Sequence, residues 1–156
     1  MNIELLIMPH VLFGVLGILA ALWVAVEGLN ISEVNKERLK LASIATTVLI
    51  WLSYLFGGYW YVNYYANDKV IIKAGLWKWA HTFFMEAKEH IFFIPLTLSM
   101  FLVVIVFNNY KVLANKKVKS LIVIAAISVV ILGLGIEGFG AMITKGVKMG
   151  LISGGK

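Results

Sequence analysis

Three histidines and a few carboxylates interrupt an otherwise apolar chain, and their types and spacing suit a cofactor site. His10 lies in the first apolar run, His90 at the mouth of the third and Glu137 well inside the fourth. Glu86 precedes His90 by four positions, so on a helix the two share a face. Ionisable groups in long apolar segments are costly and by default mark functional sites. Two chemistries use such groups. His10 and His90 could be the axial ligands of a b-type haem (haem b), with Glu137 orienting one ring from behind. Alternatively, His10, Glu86, His90 and Glu137 form a nitrogen and oxygen set for a divalent metal ion such as iron, copper, zinc or manganese. The Glu-x-x-His spacing of di-iron bundles is absent. So is cysteine, which excludes disulfides, iron–sulfur clusters, thiolate metal sites and c-type haem attachment. No nucleophile–base pair, phosphate loop or metalloprotease helix is present, and whether the chain is an enzyme stays open.

The elements that must position these groups are four apolar runs, at about 3–26, 41–62, 83–107 and 121–143. Each is close to the ~20 residues that cross a bilayer. Hydrophobic residues make up 61% of the chain and charged residues 14%. A soluble domain carries about 25% charged residues, so here lipid must cover the surface. The expected fold is all-α, an integral membrane up-and-down bundle of four transmembrane helices in a single domain, 1–156. The first run lacks a basic leader and exceeds a signal-peptide core in length, so it reads as a retained helix. The net charge of +6 comes from Lys and Arg beside the spans, where they meet lipid headgroups, and does not point to nucleic acid. Lys36, Arg38 and Lys40 follow the first span, and Lys111, Lys116, Lys117 and Lys119 precede the fourth. The positive-inside rule then gives a multi-pass protein of the cell membrane with both termini outside.

Between the second and third runs, residues 69–82 mix apolar and basic side chains and read as an amphipathic segment in the interface. Tyr59, Trp60, Tyr61, Tyr64, Tyr65, Trp77 and Trp79 form an aromatic belt on that side. His81, next to these aromatics, is interfacial or a further ligand. Lys88 and Glu89 are expected to snorkel or pair at the surface.

Span centres near Leu16, Trp51, Met100 and Ile131 put His10 and Glu137 each about 9 Å from mid-membrane on the terminal side. Gly57 and Gly58 fall at that level on the second helix. Three helical faces follow: His10 with Gly14 and Gly17, Thr46 with Ser53 and Gly57, and Gly133 with Glu137 and Gly140. Gly14 and Gly57 either pack helices tightly or leave room for a flat cofactor. First and third helices lie diagonally, with axes roughly 11–14 Å apart, a spacing that suits an imidazole–iron–imidazole sandwich.

Leu39-Lys40-Leu41-Ala42 through Trp51-Leu52-Ser53-Tyr54-Leu55 resembles the second helix of a family of small four-helix membrane proteins linked to respiratory oxidase assembly. Phe83-Phe84 through His90-Ile91, then Pro95-Leu96, resembles that family's third helix. The similarity covers about a third of the chain. Family histidines at the starts of helices 2 and 4 and at the end of helix 2 are replaced here by Asn35-Lys36, Asn115-Lys116 and Phe56-Gly57-Gly58, so only His90 carries over. The resemblance implies the four-helix fold and a respiratory context. The expected function is thus a membrane-embedded haem or redox-metal protein in respiratory electron transfer. Its expected partners are the lipid bilayer and a respiratory complex, quinone or second copy of the chain. The alternatives are a non-enzymatic metal-handling or oxidase-assembly factor and a structural subunit of a membrane complex.

Overall fold

The computed structural model describes residues 4–154, so the expected start of the first span at residue 3 lies outside them. Helix α1 is Glu4–Leu29 and α2 is Lys36–Ala74. A π-helical turn, Ala80–Met85, runs into α3 (Glu86–Ile91) and α4 (Phe93–Val106). Short α5 (Tyr110–Leu113) leads to α6 (Lys116–Gly154). Four stretches, Ile7–Leu29, Lys36–Ala74, Ala80–Val106 and Lys116–Gly154, are long and apolar enough to cross a membrane. The protein is thus the expected all-α bundle of four long apolar helices, a multi-pass membrane architecture.

Helix α1 packs against α2 and α6, and α4 packs against the same two from the other side. The first and third long segments are therefore diagonal, while α2 and α6 touch across the shorter diagonal. The described ends, Glu4 and Gly154, lie at one pole with the 75–79 turn; the other pole carries the loops around Asn35 and Asn109. We call these the terminal pole and the loop pole.

Towards the loop pole the core is apolar. Ala21, Val24, Leu102, Val106, Ile122 and Val129 are buried there. Small residues on α1 let α2 approach: a methyl group on Gly17 would sit 3.0 Å from Ile50 Cγ1. The α1–α2 turn is fixed by buried Asn35, whose Oδ1 accepts from Ser32 N–H at 2.7 Å and whose amide donates to Glu27 Oε2 at 2.9 Å. The third segment breaks at Phe92 because Pro95 has no N–H for the carbonyl of Ile91.

The terminal pole departs from the sequence expectation. Helix α2 does not stop at 62 but continues to Ala74, so residues 69–82 are not one interfacial helix. They divide into the last turn of α2, an irregular bend and the π-helical turn. The cause lies in the glycines of α6. A Cβ on Gly75 would meet Gly150 Cα at 2.7 Å, and Gly146 lies against the Cβ of Ala80. Backbones this close bury Tyr65, Ile72, Ala80, Met85 and Ile143 in a second small core. Tyr65 is therefore inside the protein rather than in an outward-facing belt, with 2% of its surface exposed.

Candidate functional site

Between the two cores, each of the four long segments contributes one polar side chain to the same place. Ser53 on α2 meets His10 on α1 at three points, its Oγ lying 3.0 Å from Nδ1. Its Oγ donates to the His10 carbonyl at 2.9 Å, and its own carbonyl lies 2.8 Å from His10 Nδ1. A carbonyl only accepts, so Nδ1 carries the proton and Nε2 presents its lone pair inward. The Lys88 ammonium, 3.3 Å away, donates to that lone pair. Lys88 reaches across the diagonal on its long stem, passing 3.3 Å from where a Cβ on Gly140 would be. Glu137, one turn before Gly140 on α6, lies against Gly14 of α1, and Lys88 is the cation whose field acts on it.

The glycines explain how these groups fit. A Cβ on Gly57 would lie 2.6 Å from His10 Nδ1, and one on Gly14 would collide with the Glu137 carboxylate. Both positions are thus filled by ionisable side chains of the protein itself, which takes the room the sequence assigns to a macrocycle edge.

Beside the cluster is a cavity of about 370 Å³. Its walls are mainly apolar and aromatic, including Tyr54, Trp60, Phe92, Phe93 and Ile136, with Lys88, Glu89 and Glu137 as the charged groups. Tyr54 and Phe92 stack with centroids 4.9 Å apart. Val62 and Phe93, which also line it, are exposed on the outside of the bundle. Glu89 faces Tyr61, and its Oε1 is buried with no hydrogen-bond partner among the described residues.

The other expected ligands are elsewhere. His90 is exposed, its Nδ1 against the Glu86 carbonyl at 2.6 Å. Glu86 is exposed as well. The His10–His90 pair and the set His10, Glu86, His90, Glu137 are consequently not brought together. Among the described residues no three His, Asp or Glu side chains group closely enough to hold a metal ion. The reason is rotational. The buried stripe of the third segment is Pro95, Ser99, Leu102 and Val106, which Lys88 and Phe92 extend backwards. His90 belongs to the opposite stripe with Ile94, Thr97, Phe101 and Val104, all exposed. Lys88 does not snorkel to the surface, and its place on the Pro95–Ser99 stripe was the available signal.

A second polar group lies towards the terminal pole. Tyr65 Oη and His81 Nδ1 are 2.9 Å apart, both residues buried. On the other side of the ring, Nε2 is 3.7 Å from Glu86 Oε1. The π-helical turn makes this alignment, since its five-residue repeat stacks Glu86 over His81.

No family model, no curated protein and no solved structure matches the chain.

Proposed function

We propose that the cavity takes up a neutral, lipid-soluble ligand whose ring carries hydrogen-bonding oxygens, the quinone class, and that Lys88, His10 and Glu137 exchange protons with it during membrane electron transfer. The observation that carries this reading is the composition of the cavity: aromatic walls, exposed Val62 and Phe93 among the lining residues, and one ammonium and two carboxylates. An anionic headgroup would meet Glu89 and Glu137 with only Lys88 to offset them. A neutral ring with both donors and acceptors meets complementary partners. Aromatic faces such as Tyr54 and Phe92 offer stacking. When bound, the quinone supplies the electron chemistry; the protein orients the ring, excludes water and holds protons at Lys88 Nζ and the Glu137 carboxylate.

A b-type haem or a redox metal in the same place is the less favoured reading, because its second histidine faces outward on the third segment. The respiratory setting rests on the resemblance of the second and third helices to oxidase-assembly proteins.

The test uses the protein in lipid nanodiscs. Organic extraction identifies any co-purified quinone, and titration with a short-chain ubiquinone is followed by quenching of tryptophan fluorescence, Trp60 being in the cavity wall. The expected result is saturable quenching that Lys88→Met weakens by about tenfold or more, the equivalent of one charge-assisted hydrogen bond. Absence of saturable quenching, or identical binding by Lys88→Met, overturns the proposal. A haem absorbance band in the purified protein would favour the haem reading instead.

A further inference from the structure

The two basic loops of the loop pole carry their charge differently. In the first, each cation has a carboxylate: Lys36 lies 3.7 Å from Glu33, Arg38 2.9 Å from Glu27 and Lys40 2.9 Å from Glu37. Lys40 is held further by the Phe107 ring, 5.5 Å from its ammonium. The second loop carries Lys111, Lys116, Lys117 and Lys119, and the chain has no Asp or Glu between Glu89 and Glu137. None of these lysines pairs with a carboxylate from another element among the described residues. Lys119 is tied to the first loop, its Nζ donating to the Ile31 carbonyl at 3.3 Å. Lys111, Lys116 and Lys117 are exposed.

Lys116 and Lys117 open α6, and a shallow groove joins them to Ser120, Leu121 and Ile124. Beyond that polar end the outer face of α6 is aliphatic. Ile124, Ile127, Ile131 and Leu134 follow Ser120 at helical spacing, and all are exposed. From Ser120 to Leu134 this stripe rises about 21 Å, more than half of a hydrocarbon layer of about 30 Å. We infer that an anionic phospholipid docks here, its phosphate against Lys116, Lys117 and Ser120 and an acyl chain along the stripe.

The surface has two ends, and the ligand must match both. A soluble anion or an acidic peptide would neutralise the ammoniums but leave the aliphatic stripe uncovered. A zwitterionic lipid would cover the stripe but bring its own ammonium among the lysines. A lipid with net negative charge meets both ends. The lysine stems lie along apolar surface while their heads reach phosphate level, and the Ser120 hydroxyl can donate to a phosphate oxygen. The first loop offers no such surplus, because a phosphate there would have to displace a carboxylate from each cation. The docking surface is at the opposite pole from the chain ends and does not depend on what the cavity binds.

The full chain in detergent micelles is titrated with phosphatidylglycerol or phosphatidylcholine, and native mass spectrometry resolves the first lipid bound. Phosphatidylglycerol is expected to bind more tightly by about tenfold or more, and Lys116→Gln combined with Lys117→Gln should remove that difference. Lys36→Gln combined with Lys40→Gln makes the same change of charge on paired cations and should shift the preference by less than about threefold. Glycerol phosphate, which has the anion without the chains, should not displace the bound lipid. Displacement by glycerol phosphate would assign the lysines to soluble phosphates and overturn the lipid reading. Equal binding of the two lipids would overturn it too, as would a preference that survives in the first double variant or falls equally in both.

Discussion

Gly57→Ala is the sharpest probe of the buried cluster, because neighbouring Gly58 supplies its own control. A Cβ at position 57 would stand 2.6 Å from His10 Nδ1, 2.8 Å from Cε1 and 3.1 Å from Cγ. To restore an ordinary 3.4 Å contact the ring must retreat by roughly 0.8 Å. That stretches the 2.8 Å bond from Nδ1 to the Ser53 carbonyl beyond hydrogen-bond range. It also moves Nε2 off the Lys88 ammonium. Losing the first bond costs about 1 kcal/mol and losing the second, with its charge, about 1.5–3 kcal/mol. Alanine's helix preference returns about 1 kcal/mol. The net expected loss is about 1.5–3 kcal/mol. At Gly58 the new Cβ would meet only Tyr54 Cε2, at 3.9 Å. Gly58→Ala should therefore stabilise by about 0.5–1 kcal/mol. Reversible unfolding in mixed micelles, titrated with SDS, measures both variants. Equal stabilities within about 0.5 kcal/mol would show that His10 does not occupy the surface of Gly57.

Asn35→Ala should cost about 2–3 kcal/mol in the same titration, since it leaves the Ser32 N–H and the Glu27 carboxylate without their buried amide partner. A loss below about 0.5 kcal/mol would show that the loop-pole turn does not depend on that side chain. The positive-inside rule predicts the orientation from the Lys-rich loops. In the cysteine-free protein, Lys116→Cys should resist a membrane-impermeant maleimide in intact cells, while Lys78→Cys should react. The opposite pattern would place both termini in the cytoplasm.

How far the sequence could be read differs from helix to helix. The four spans were legible because length and hydropathy alone decide them. On α1, α2 and α6, the glycine and serine spacings around His10, Ser53 and Glu137 gave the inward faces. The third segment offered a fainter guide, the Pro95–Ser99 stripe that Lys88 extends. Lys88 and His90 are two positions apart, about 200° around a helix, so one had to face in and the other out. Histidine's record as a ligand favoured His90, the residue that faces out. The His81–Glu86 alignment was hidden for another reason. An α-helical period pairs Glu86 with His90, and only the wider π-helical turn brings Glu86 over His81. Helix α2 outlasts the apolar run that ends at Val62, because it persists on the glycine face of α6.

Helices α2 and α6, each 39 residues, have a consequence for depth. At 1.5 Å per residue each is about 58 Å long, nearly twice a hydrocarbon layer of about 30 Å. A tilt of about 40° still leaves about 44 Å along the normal. With the Lys and Arg residues of the loop pole held at the headgroups, some 20 residues of each helix exhaust the lipid tails. Counted from Lys40 and Lys119, that distance ends at Trp60 and Phe139. The cluster of His10, Lys88 and Glu137 thus belongs near the shoreline of the membrane, where ionisable groups cost much less than at its midplane. Tyr65 and His81 stand beyond it, on a helical jetty among the headgroups.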